Sequence, residues 1–242
     1  MAALNKSRFR KVAHWLASRD APYICFRLIA LLGRYGVSAS RAKRRLLHCV
    51  DRLARHGCRP TFPTPGRVVR RNGTFCQELQ RHGAELAVHG YDHLDFRALS
   101  ADESRSQFIE ASVAYQRHGI QFEGFRCPYL SYTEKLNDIL PNSHFQYSSN
   151  KAIWWDVVVP ESEHRAGHGA KAIFQRLSSF YQAASSKTDV SVPRMSGSLV
   201  EIPVCVPDDL QLLDGLKLDE RGMQQAWSTS CVRRTAGASC SI

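Results

Sequence analysis

Ala84-Glu85-Leu86-Ala87-Val88-His89-Gly90-Tyr91-Asp92-His93 runs from a short apolar strand straight into two histidines four residues apart. The first five residues have the length and composition of a strand buried in a parallel sheet. Neutral imidazole is the commonest protein ligand for zinc and similar metals. In one helical turn or a tight loop, His89 and His93 converge on one divalent ion. Alone, the spacing also suits two loop histidines with no metal. A second segment, Gly124-Phe125-Arg126-Cys127-Pro128-Tyr129, lies about one βα unit later. It also follows a short apolar strand, and it sets an arginine and an aromatic at that strand's end.

Working outward, a repeated punctuation mark organises the chain. Arg55-His56-Gly57, Arg81-His82-Gly83 and Arg117-His118-Gly119 each close a helix-like stretch and open a strand-like one. Glycine adopts the left-handed cap conformation without a Cβ penalty, and basic residues in a last turn favour the negative end of the helix dipole. These three histidines read as structural caps, not ligands. Strands are expected near Tyr23–Leu28, Arg59–Phe62, Glu85–Val88 and Phe122–Phe125. Helices are expected near Ser40–His56, Thr74–His82 and Ser100–His118, the last opened by a capping box of Ser100 and Glu103. Phe145–Ser148, Trp154–Val159 and Leu199–Val204 read as further strands, and a helix over Ala170–Ala184 and a last weak helix after Asp209 complete the pattern. Ser228–Ile242 has the character of neither a strand nor a helix with a good apolar face. Alternating elements imply an α/β fold with a mostly parallel sheet, whose function sits at the carboxyl ends of the strands. His89 and Arg126 both fall there.

The two segments, in that order, resemble the polysaccharide deacetylase family, the NodB-like carbohydrate esterases, which carry H-[ST]-x-x-H and then R-x-P-[YF] on successive strand ends. Arg59-Pro60-Thr61-Phe62 and Gly66-Arg67-Val68-Val69 fit the strand and helix start before them, and Leu199–Val204 with Asp208-Asp209 resembles a late strand and loop. The resemblance extends from roughly Pro22 to Asp214. It implies an incomplete or distorted (β/α) barrel, and a metal-dependent hydrolase of carbon–nitrogen bonds that deacetylates an N-acetylated carbohydrate. His89 and His93 would be metal ligands, with zinc the expected ion, and Arg126 and Tyr129 catalytic residues. Tyr91, Trp154 and Asp209 are assigned to substrate binding. Neighbouring strand residues face opposite ways, so at most one of Trp154 and Trp155 faces a site. Two departures stand beside the match. The strand Tyr23–Ala30 is followed by no acid before Asp51, where the family has an Asp pair, and no histidine follows His168, where the family has a C-terminal one. Asp92, Asp95, Asp20, Asp156, Asp208 and Asp209 are the acids considered as substitute ligands. With the family's Asp missing, Arg126 would bind a substrate carboxylate or pair with Asp156 or Asp209. A catalytically inactive relative that binds a glycan or a protein is the alternative.

Composition sets the remaining bounds. The 242 residues, 43% hydrophobic and 23% charged, suit one globular domain. It is expected over 21–235, after a basic extension 1–20 and before a tail 236–242, which reads as truncated. The net charge of +11 invites a nucleic-acid reading. However, the arginines from Arg41 to Arg45 fall on an amphipathic helix whose Leu46, Leu47, Val50 and Leu53 face inward, without aromatics interleaved to stack on bases. No nucleic-acid partner is assigned, and the partner expected is a carbohydrate. No apolar run reaches bilayer length and the N-terminus has no apolar signal core, so no membrane association and a cytoplasmic location are expected. Eight cysteines without a C-x2-C pair read as reduced thiols. Cys127 is the one to watch for reactivity, although its place suits a small packing residue. His164 and His168 read as a loop pair without a metal.

Overall fold

A computed structural model describes residues 39–140, 144–155, 179, 181, 184–185, 192–208, 212, 216 and 218–238. The expected strand Tyr23–Leu28, the loop of His164 and His168, and nearly all of the helix expected over Ala170–Ala184 lie outside these residues. The described residues fall into two compact units, 39–60 with 81–83, and the rest.

In the first unit, helix α1 spans Ser40–Ala54. Val50 is fully buried, Leu47 and Leu53 are half-buried, and Leu46 lies exposed. Arg44 and Arg45 are exposed, as a solvated basic face requires. The helix closes at Gly57 with φ +69°, and the Cys58 amide donates to Leu53 O at 3.0 Å. Gly83 and Gly119 also hold positive φ, +96° and +61°, so all three Arg-His-Gly triplets end helices as left-handed caps. His82 Nδ1 lies 3.0 Å from Asp51 Oδ1.

The second unit carries the sheets. Strands β1 (Thr61–Thr64), β2 (Glu85–Val88), β3 (Gly124–Phe125), β4 (Tyr147–Ser148), β7 (Arg194–Ser196) and β8 (Leu199–Glu201) form one sheet in the order β1-β2-β3-β4-β8-β7. All its neighbours are parallel except the pair β7 and β8. Strands β5 (Ala152–Trp154), β6 (Ala184–Ser185) and β9 (Val204–Val206) form a second, parallel sheet in the order β6-β5-β9. The α/β class with parallel strands is thus observed.

Helix α2 spans Gly66–Arg81 with a break at Asn72; it begins at the Gly66 helix start that the resemblance gave, well before the Thr74 expected from the local pattern. Its early start has a partner for each of its first amides: Gly66 N–H donates to Gly90 O and Arg67 N–H to Tyr91 O, both at 2.9 Å. Helix α3 spans Ala101–Arg117 behind the Ser100–Glu103 capping box. It buries Phe108, Ala111, Ala114 and Tyr115. Phe108 meets Phe125 edge-on at 4.8 Å, and Phe125 stacks on Phe145 at 5.7 Å. Each such ring contributes roughly 1.5–3 kcal/mol by leaving water. The Tyr115 hydroxyl lies 2.8 Å from Thr64 O and 3.0 Å from Ala87 O, which fastens the ends of β1 and β2 to this helix. Helix α4 is short, Lys135–Ile139.

One expectation is corrected. Leu199–Val204 is two strands in different sheets, because Pro203 has no N–H to continue a ladder and the chain crosses over there. The last weak helix expected after Asp209 is observed as α5, Glu220–Ala238. Its Ala226 packs in a core with Ile153, Trp155, Leu212 and Leu216. Among the described residues no helix is long and apolar enough to cross a membrane.

Candidate functional site

His89 is the first residue beyond β2, and its ring is half-buried. Nδ1 lies 2.7 Å from the backbone carbonyl of Arg126, the residue that follows β3. A carbonyl only accepts, so Nδ1 carries the hydrogen in this contact. Burial pushes the His89 pKa down to about 4, against the bond to Arg126 O, while nearby His93 and Arg126 push the same way as burial. At neutral pH the ring is therefore neutral and Nε2 keeps a free lone pair, the form in which histidine binds metals.

The loop from His89 to His93 is pinned from two helices. Gly90 and Tyr91 offer their carbonyls to the start of α2. From α3, Gln107 Oε1 accepts from Tyr91 N–H at 3.1 Å and Asp92 N–H at 2.8 Å. Arg67 of α2 grips the Asp92 carboxylate with Nε and Nη2, the latter at 2.6 Å. Gly90 sits at φ +70°. A Cβ there would meet Asp92 O at 2.9 Å and the Phe96 ring at 3.2 Å, so this path of the loop selects glycine. The outcome is that the His93 ring stands 4.9 Å from His89, edge-on.

Tyr129 closes the cluster, its ring 4.5 Å from that of His93 and itself nearly half exposed. Tyr129 and Leu130 hold positive φ of 59° and 52° in the 3-10 turn Pro128–Leu130. Non-glycine residues in this region are uncommon and concentrate at ligand sites.

Arg126 is held on its other side. Nε donates to Ser149 O at 3.1 Å and Nη2 to Ser149 Oγ at 2.7 Å. Burial pulls its guanidinium below the usual range, with Tyr147 and Glu201 opposing. The Cys127 amide donates to Asn150 Oδ1 at 2.6 Å. Its thiol is fully buried, and burial pushes it up to about 12, so Cys127 is a packing residue and not a reactive thiol at neutral pH. Thr61, Glu85, Arg126, Tyr147 and Ser149 line a cavity of about 160 Å³. The Glu85 carboxylate in it accepts from Tyr147 OH at 2.6 Å and Thr61 Oγ1 at 2.7 Å.

The structure thus gathers His89, His93, Arg126 and Tyr129 at adjacent strand ends. Tyr91 turns toward α2, its ring beneath the guanidinium groups of Arg67 at 5.4 Å and Arg70 at 5.8 Å. Trp154 is half-buried at the end of β5 in the second sheet, and Trp155 beside it is buried in the core. Asp209 lies outside the described residues, as do Asp20 and Asp156. Sequence reading passed over Ser149 and Asn150, which together hold Arg126 and Cys127. The signal was available: Ser148-Ser149-Asn150 is a polar run where a strand enters the core, and each residue is at most 4% exposed.

The donors fit an implied metal in part. Two imidazoles stand side by side, but catalytic zinc commonly takes three protein ligands. Among the described residues no group of three or more His, Cys, Asp or Glu comes together to hold an ion. Asp92 is taken by Arg67. Asp95 caps the 3-10 turn Phe96–Ala98 and pairs with Arg97 at 2.7 Å, which holds its carboxyl down at about 2.

Residues 42–148 match the family described as Polysaccharide deacetylase. A bifunctional xylanase/deacetylase of Pseudobutyrivibrio xylanivorans is 31% identical over 107 residues, which are 43% of this chain and 17% of that protein. A solved structure from Mycobacterium smegmatis, described as a polysaccharide deacetylase, aligns with TM-score 0.53 at 20% identity, over 81% of this chain and 60% of that one. A Puue allantoinase aligns with TM-score 0.53 at 13% identity, over 86% of this chain and 58% of that one. The chain thus spans about a sixth of the curated relative and about three fifths of each structure. The two structures bear on the fold alone, and agree with an α/β fold of the deacetylase type.

Proposed function

We propose, from the premise that residues 42–148 belong to the NodB-like polysaccharide deacetylase family, that this protein is a metal-dependent amide hydrolase that removes acetyl groups from an N-acetylated carbohydrate. The observation that carries this reading is the His89–His93 pair: one imidazole fixed with Nδ1 on a carbonyl, the other 4.9 Å away. These two side chains would hold the ion. Bound there, a divalent ion supplies polarisation of the acetyl carbonyl and a more acidic water.

The chain's own residues do the rest. The Arg126 carbonyl keeps His89 in the metal-binding tautomer. Its guanidinium, held on Ser149, fastens the end of β3 to the turn after β4. Tyr129 flanks His93 with a half-exposed ring, where its hydroxyl can donate to an oxygen that gains charge. Sugar recognition by Tyr91, Trp154 and Asp209 belongs to the same proposal.

The test is metal content by mass spectrometry of the purified chain beside a His89→Ala/His93→Ala double variant, with acetate release from N-acetylated oligosaccharides measured in parallel. About one zinc-like ion per chain, absent from the double variant, together with acetate release, supports the reading. No ion in the parent chain overturns it and leaves a scaffold that only binds.

A further inference from the structure

Glu201 lies on β8, opposite Ser148 of the parallel strand β4. Its carboxylate is engaged on both oxygens. Oε1 accepts from the amides of Asn150 at 2.6 Å and Lys151 at 2.7 Å, and Oε2 accepts from Ser148 Oγ. A carboxylate that gathers two successive amides and a hydroxyl fixes the backbone where β4 ends, and charge-assisted bonds of this kind are roughly twice as strong as neutral ones.

What that turn presents leads back to the histidines. Ser149 accepts both bonds from the Arg126 guanidinium, and Asn150 accepts from the Cys127 amide. The peptide joining Arg126 to Cys127 is thereby held from both residues, and its carbonyl is the one that receives His89 Nδ1–H. Four strand ends, those of β8, β4, β3 and β2, are fastened in series. Ser148, Ser149 and Asn150 are buried, so the bonds they make are partly shielded from competing water, whereas the bond from the Lys151 amide is exposed. Leaving one of the shielded bonds unmade costs more than losing an exposed one.

We propose that Glu201 is a positioning residue for His89: it orders the turn after β4, which sets the Arg126 carbonyl, which fixes the His89 tautomer and ring. This rests on the reading of His89 as a metal ligand, but the state of the ring can be read without metal. A residue that only stabilised the sheet would lower thermal stability and leave the imidazole as it is.

The experiment uses the full chain, metal-free, with the histidine ring nitrogens observed by 15N NMR, and then zinc affinity by competition titration. In the parent chain His89 gives the Nδ1–H signature. In Glu201→Ala that signature moves toward mixed tautomers and zinc affinity falls about 10–100-fold, as for other lost supports of metal-bound histidines. Glu201→Gln keeps a carbonyl oxygen for the two amides and stays nearer the parent. Ser149→Ala, which removes one partner of Arg126, moves in the direction of Glu201→Ala by a smaller amount. A folded Glu201→Ala with the parent's His89 signature overturns the proposal. Where Glu201→Ala does not fold, Glu201→Gln and Ser149→Ala decide it: both with parent-like His89 signals overturn it. Failure of the parent chain to take up zinc counts against the proposed function, and the tautomer result still judges Glu201.

Discussion

His89 Nδ1 donates to the backbone carbonyl of Arg126 across 2.7 Å, so one strand end sets the protonation geometry of the next. The ring is mostly shielded, and burial takes its pKa from 6.5 to about 4. A folded value below the unfolded one means that the unfolded chain binds the proton first. The stabilisation is therefore complete above about pH 6.5 and is lost as pH falls through about 4. Its size is on the order of 3 kcal/mol. We expect the stability gap between the parent and His89→Gln, from urea unfolding in the presence of chelator, to shrink by this order between pH 7 and pH 4. A gap that stays constant across that range would mean that His89 is not held neutral by its surroundings.

Gly90 gives a second prediction. The relatives that this loop resembles carry Ser or Thr at the position, but here φ is +70° and a Cβ would press on Asp92 O at 2.9 Å. A left-handed non-glycine residue costs roughly 1–2 kcal/mol, and the close contact adds to that. Gly90→Ser should therefore destabilise the chain by about 1–3 kcal/mol in chemical denaturation, although it restores the family's residue. An unchanged midpoint would show that the loop relaxes into another path.

Local signals were the legible part of this fold. The bounds expected for β2 are those observed, the Ser100–Glu103 box opens α3, and the three Arg-His-Gly triplets end helices. Each rests on chemistry within a few residues. His89, His93, Arg126 and Tyr129 could be picked out because their two segments resemble a family's paired motifs, and parallel strands bring the ends that carry them to one side. The division of Leu199–Val206 between two sheets was hidden, because which sheet each half joins is decided by partners far along the chain. Glu201 was hidden for the same reason: its meaning comes from the register with Ser148, 53 residues away. The start of α2 at Gly66 was legible from the resemblance but not from periodicity alone, because its first amides are satisfied by a loop that follows it in sequence.

The cysteines make a third prediction. Cys127 is fully buried with its thiol pushed up to about 12, whereas Cys49 and Cys58 are exposed. A raised thiol pKa means less thiolate, and at pH 8 Cys127 holds roughly one part in ten thousand in the reactive form. Iodoacetamide on the native chain at pH 8, read by peptide mass spectrometry, should label Cys49 and Cys58 and spare Cys127 until denaturant is added. Early labelling of Cys127 would mean that the turn after β3 opens readily.

Tyr129 carries the last prediction, because its backbone and its ring can be separated. The φ of +59° is unfavourable for any residue with a Cβ, and the ring leans on His93 at 4.5 Å. Tyr129→Ala and Tyr129→Gly both remove the ring, but only the glycine variant also removes the Cβ. Their difference therefore isolates the left-handed strain, offset in part by the greater freedom of glycine in the unfolded chain. We expect Tyr129→Gly to be the more stable of the two by about 1 kcal/mol in urea unfolding. Both should lose affinity for an N-acetylated oligosaccharide relative to the parent, because the half-exposed ring beside His93 is gone. Equal stability of the two variants would show that the turn does not hold its strained conformation once the ring is removed. Unchanged sugar affinity would separate Tyr129 from the ligand site altogether.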